Sequence, residues 1–76
     1  MVFDKVKEII IDMIHCDADA VTMDADFESL SIDSLDATEL CMTFEEEFNM
    51  TFAEDAMQGF HTVSDIVEYI EKEIEA

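Results

Sequence analysis

Apolar residues recur at helical spacing in three stretches of this chain and lose that spacing between them. In the first, Phe3, Val6, Ile10, Met13 and Ile14 form one stripe, with Val2 and Ile9 beside it. Asp4, Glu8 and Asp12 fall on the other side, and Ile11 sits at the edge. This predicts an amphipathic helix of about four turns, ending near His15-Cys16. Residues 17–33 break the period. Asp17, Asp19, Asp24, Asp26, Ser29, Ser31 and Asp33 are turn and cap formers, and Phe27, Leu30 and Ile32 are the expected anchors of the loop. Loops of this length are uncommon in compact domains and are often functional.

The second helix is expected from Asp33 or Ser34 to about Phe48, with Ala37, Leu40, Cys41, Phe44 and Phe48 as its core stripe. Asp33 is a good N-cap, and Asp36 follows three residues later as a capping-box partner. Phe52 to Met57 makes one or two further turns, stopped by Gly59. Thr62, with Asp65 three residues on, caps a last helix that carries Val63, Ile66, Val67, Ile70 and Ile74 on one face and Tyr69 at its flank. Each long helix has one broad apolar face, so the expected fold is all-α. It is a four-helix bundle of three longer helices and one short, with a long loop between helices 1 and 2.

Length and charge narrow the function. Seventy-six residues make one domain, here 1–76, and leave no room for a two-domain enzyme or a large nucleotide-binding α/β fold. Three lysines, no arginine and 21 acids give a formal charge of −18, which argues against binding nucleic acid or anionic membranes. Half of the residues are apolar and six are Phe, so the charge does not imply disorder. No apolar run is long enough to span a bilayer, and acids interrupt any signal-type start, so stable membrane insertion is not expected. Cys16 and Cys41 form no framework and no CxxC, and they read as reduced thiols in a cytoplasmic protein. A self-repelling domain of this kind is expected to be a monomer.

A calcium-binding loop starting at Asp17 fails at Val21 and lacks the glycine at Thr22, so no metal site is assigned. Cys41 reads as a small core residue, His15 as a favourable charge at a helix end, and His61 as an entry residue of the last helix. No catalytic residue is assigned. With no base beside it in sequence, Ser34 is better suited to carry a group than to act as a nucleophile for hydrolysis. A phosphate attached there would meet the backbone N–H groups of a helix start.

The second helix also carries a second stripe. Leu35 and Met42 lie opposite its core face with Thr38 between them, flanked by Glu39 and Glu46 with Asp36 near the edge. Apolar anchors ringed by acids suit the docking of a basic partner. Asp33, Asp36, Glu39 and Glu46 are the expected steering acids.

Asp33-Ser34-Leu35-Asp36, continued through Glu39-Leu40 to Glu45-Glu46-Glu47-Phe48, resembles the attachment motif and second helix of acyl carrier proteins. The likeness runs over nearly the whole chain, through Val21-Thr22 and Phe27 in the loop and Thr62 to Ile70 at the end. It implies that Ser34 receives 4′-phosphopantetheine from coenzyme A through a holo-synthase, a phosphopantetheinyl transferase. It implies a carrier, not an enzyme, that holds acyl groups as thioesters. The carrier presents them to the basic patches of a ketosynthase, reductase, dehydratase and acyltransferase of type II fatty acid synthesis. It also implies that the acyl chain can lie in the apolar interior of the bundle. The alternatives are a specialised carrier of polyketide, peptidyl or aminoacyl groups, and an acidic protein-interaction module that would not need Ser34.

The chain departs from the family pattern in places. Ser31 stands where glycine is common, Thr38 where an apolar residue is frequent, and Phe44 where leucine is usual. The prolines common near the third helix are missing from Met50-Thr51-Phe52-Ala53. These changes leave Ser34 untouched and bear on which partners dock.

Overall fold

The computed structural model describes residues 2–75, so Met1 and Ala76 of the expected 1–76 domain lie outside the described residues. Helix α1 spans Val2–Ile14. Val6 and Ile10 are fully buried, while Phe3, Met13 and Ile14 are half-buried at the rim. Ile9, expected beside the stripe, is part of the core. The helix stops because His15 turns left-handed at φ 65° while its N–H still donates to the Ile11 carbonyl at 2.9 Å. Helix α2 spans Ser34–Phe48, α3 spans Glu54–Gln58 and α4 spans Val63–Glu75, and a single 3-10 turn, Ala18–Ala20, breaks the long loop. The described residues thus form the expected all-α bundle of three longer helices and one short.

The caps follow the sequence closely. Asp33 is extended and its carboxylate accepts the Asp36 N–H at 2.8 Å, so α2 starts at Ser34. The capping box there is half-formed, since Asp36 supplies only the N–H. At the other end Asn49 sits at φ 53°, and the N–H groups of Asn49 and Met50 both reach the Glu45 carbonyl. On α4 the box is complete: Thr62 N–H donates to Asp65 Oδ2 at 3.1 Å, and Asp65 N–H donates to Thr62 Oγ1 at 3.4 Å. Gly59 closes α3, but at φ −91°, so glycine's left-handed freedom is not what ends it. The chain instead tightens, with Gly59 N–H on Ala56 O and Phe60 N–H on Met57 O, and is then recaptured by the Thr62 cap.

Helix α1 packs against both α2 and α4. Phe44 and Leu40 of α2 meet Val6 and Ile10 of α1 and Val63, Ile66, Val67 and Ile70 of α4 in one core. Ala37 and Phe48, expected in that core stripe, are half-buried at its margin. Ile74 was expected on the core face of α4 and is 46% exposed, because the buried stripe ends at Ile70.

The long loop is held by features that periodicity does not reveal. Asp26 and Thr62 form an isolated antiparallel bridge, in which Phe27 N–H donates to His61 O and Val63 N–H to Ala25 O. Val21, Leu30 and Ile32 enter the core, and Phe27 is half-buried beside it. The Asp26 carboxylate accepts the Ser29 N–H at 2.9 Å, which holds it below the ordinary carboxylate range. Ser31 closes the loop at φ 60°, a conformation costing a residue with a Cβ about 1–2 kcal/mol. Ser31→Gly is therefore expected to stabilise the fold by about 0.5–1 kcal/mol, after allowance for the looser unfolded chain. Urea melts of the two proteins check it.

Candidate functional site

The start of α2 follows from its cap. Asp33 takes the Asp36 N–H on its side chain and the Ala37 N–H on its carbonyl. Among the described residues the N–H groups of Ser34 and Leu35 have no acceptor. Ser34 is exposed, and its hydroxyl has no protein partner among the described residues; its carbonyl instead accepts Thr38 Oγ1 at 2.9 Å. An exposed, unbonded hydroxyl beside two unpaired N–H groups at the positive end of a fifteen-residue helix fits a phosphodiester.

Ser34 lies on the lip of a cleft of about 420 Å³. Thr38, Glu54 and Gln58 share that exposed rim. Behind it Ile32, Leu40, Cys41 and Ile66 form a buried apolar wall, with Phe27, Ala37, Met57 and Phe60 half-buried around it. The interior is hydrocarbon-like, and a group attached to Ser34 would stand at its entrance. Neither His15 nor His61 lines the cleft, so the site holds no histidine base. Burial, with a smaller contribution from Glu45, pushes the Cys41 thiol up to about 11, so it stays protonated at neutral pH and is a poor nucleophile. Among the described residues no group of three or more His, Cys, Asp or Glu is disposed to hold a metal ion.

The outer face of α2 presents Leu35, 72% exposed, and Met42, 60% exposed. Glu39 and Glu46 are exposed, and Asp36 is half-exposed. The predicted stripe is thus present on the surface. Thr38 of the stripe and Asp33, the remaining expected steering acid, have additional roles. Asp33 is engaged as the helix cap, and Thr38 both bonds its own helix and edges the cleft.

The short α3 lines one side of the cleft with Glu54, Met57 and Gln58, and two side chains fasten the segment before it. Glu45 accepts the Phe52 N–H at 2.8 Å, and Tyr69 Oη accepts the Ala53 N–H at 3.1 Å. Sequence reasoning did not single out Glu45 or Phe60. No local signal marks Phe60, which sits alone between Gly59 and the α4 cap.

The other fixed point of the site is the start of α4. The His61 N–H at 2.9 Å, and then the Thr62 groups, hold the Asp65 carboxyl below its ordinary value. A depressed carboxyl stabilises the fold above the unfolded value and loses that contribution as pH falls through the folded value. Asp65→Ala should therefore cost about 1 kcal/mol near neutrality. The gap between variant and parent should close in strong acid. Denaturant melts at both pH values measure it.

Residues 4–70 match the family described as phosphopantetheine attachment site. An acyl carrier protein of Clostridium perfringens is 46% identical over 74 residues, covering 96% of this chain and 97% of its own. One of Porphyromonas gingivalis is 44% identical over 71 residues, covering 92% and 91%. The crystal structure of an acyl carrier protein of Thermotoga maritima superposes with a TM-score of 0.84 at 28% identity, over 95% of this chain and 85% of that one. Agreement of sequence and fold from end to end leaves one reading: the chain belongs to the acyl carrier proteins, which are carriers rather than enzymes and work through a covalently attached 4′-phosphopantetheine.

Proposed function

We propose that Ser34 is the attachment residue and that residues 1–76 act as one carrier domain for type II fatty acid synthesis. The observation that carries this reading is the exposed, unbonded Ser34 hydroxyl at the α2 start, on the lip of an apolar cleft. Ser34 Oγ forms a new P–O bond to the phosphopantetheine phosphorus of coenzyme A. The pyrophosphate bond breaks, adenosine 3′,5′-bisphosphate leaves, and the hydroxyl proton passes to the transferase. The arm, once bound, supplies a terminal thiol for thioesters.

The rest of the site serves presentation. Leu35 and Met42 offer exposed apolar anchors, and Asp36, Glu39 and Glu46 offer charge around them. Such a face attracts the holo-synthase and the basic docking patches of a ketosynthase, reductase, dehydratase and acyltransferase in turn. Exposed ion pairs hold weakly, so each partner is released after its step. Among the described residues no helix is long and apolar enough to cross a membrane. The two cysteines are free, which suits a reducing, cytoplasmic setting.

Reconstitution tests this reading. The loaded protein should support chain elongation by purified type II synthase enzymes. Each exposed charge pair contributes about 0.2–1 kcal/mol, and reversal adds repulsion, so Glu39→Lys with Glu46→Lys should cut kcat/KM for a basic partner roughly 10-fold. Added salt should slow the parent more than the variant. A double variant as active as the parent would contradict the docking assignment. Loading without elongation would contradict the fatty acid assignment.

A further inference from the structure

We propose that Phe60 is the end wall of the cleft and sets the longest acyl chain that the carrier shelters. The inference rests on the carrier reading above and adds a length limit to it. Two cavities meet at Phe60. The first is the 420 Å³ cleft with Ser34 on its lip. The second, of about 270 Å³, lies where α3 ends against α4 and is lined by Ala56, Gly59, Asp65, Glu68, Tyr69 and Lys72 beside Phe60. Among the described residues Phe60 is the one that lines both.

The two spaces differ in chemistry. The wall of the first is built from Ile32, Leu40, Cys41 and Ile66, against which each added methylene gains by leaving water. The second carries two carboxylates and an ammonium, which favour water over hydrocarbon. Phe60 separates them, and it is braced. Its ring stands edge-to-face against Phe52 at 5.6 Å and 78°, and against Tyr69 at 5.7 Å and 75°. Neither bracing ring lines the first cleft, so the support comes from outside it. Tyr69 is itself fixed by the Ala53 N–H, and the Phe52 backbone by Glu45. A chain that enters beside Ser34 therefore meets an apolar wall as far as Phe60 and a water-facing space of mixed apolar and charged lining beyond it.

The test loads saturated acyl-phosphopantetheine groups of increasing length from acyl-coenzyme A onto the parent, Phe60→Leu and Phe60→Ala. Intact mass establishes loading first. Two readouts follow for each length: the melting temperature and the rate of thioester cleavage by hydroxylamine. In the parent, protection should rise with chain length and then level off. The levelling point should move to longer chains in Phe60→Leu and further in Phe60→Ala. Phe60→Leu keeps most of the packing, so it decides the matter if Phe60→Ala does not fold. An unchanged or shorter levelling point in loaded variants overturns the role of Phe60 alone. So does a loaded parent in which protection is independent of length. Absence of any mass gain overturns the carrier reading together with the inference.

Discussion

Ser34→Ala should accept no phosphopantetheine and carry no acyl group, with a stability within about 0.5 kcal/mol of the parent. The loss is total because a phosphodiester needs the hydroxyl oxygen and alanine has none. The fold is spared for a reason visible at the helix start. Among the described residues the Ser34 hydroxyl has no hydrogen-bond partner, and the N-cap of α2 is Asp33, whose carboxylate holds the Asp36 N–H. Alanine is also a better helix former than serine, which offsets any small loss. An acidic interaction module acting through the α2 face would keep its activity in this variant. Mass spectrometry after the transferase reaction, with a thermal melt of the same sample, separates the two outcomes. A Ser34→Ala protein that still gains the arm would show that another serine is the acceptor.

Phe44→Ala should cost about 3–5 kcal/mol, the range for deleting a large buried ring. Phe44 is fully buried and belongs to the core where α1, α2 and α4 meet. A domain of this size has little to spare, since total stability for folded domains is about 5–15 kcal/mol and small ones sit low. The −18 charge is a further strain on the compact state, so the variant should be largely unfolded at low salt. Phe44→Leu restores most of the volume and should cost about 1.5 kcal/mol or less. Far-ultraviolet circular dichroism against urea, at low and high salt, measures both. A Phe44→Ala protein as stable as Phe44→Leu would mean that the core closes around the gap.

The helices were legible because each buries one face. The stripe of Val6 and Ile10, the Leu40–Phe44 pair and the Val63–Ile70 stripe all reach the core as periodicity predicts. Caps were legible where one side chain does the work, as with Asp33 on α2 and the Thr62–Asp65 pair on α4. Periodicity failed where the answer depends on how far a neighbour extends. Ile74 continues the α4 stripe but outruns the packed core.

The loop needed contacts distant in sequence. Asp26 pairs with Thr62, and no local pattern announces a bridge between residues so far apart. The left-handed turn at Ser31 was hidden for another reason. A glycine there would have signalled positive φ, whereas serine conceals it. Ser34 and the outer stripe of Leu35 and Met42 were readable because they belong to one helix. The cleft was not, since its walls come from the loop, α2, α3, Phe60 and α4 together.

Loading of this chain at Ser34 is decided by intact mass measurement with fragmentation. The folded protein is incubated with coenzyme A and a broad-specificity phosphopantetheinyl transferase, beside a carrier known to accept the group. A gain of one phosphopantetheine, located by fragmentation on Ser34, is the predicted result. No gain while the control is modified, or a gain on Ser29, Ser31 or Ser64, would contradict it.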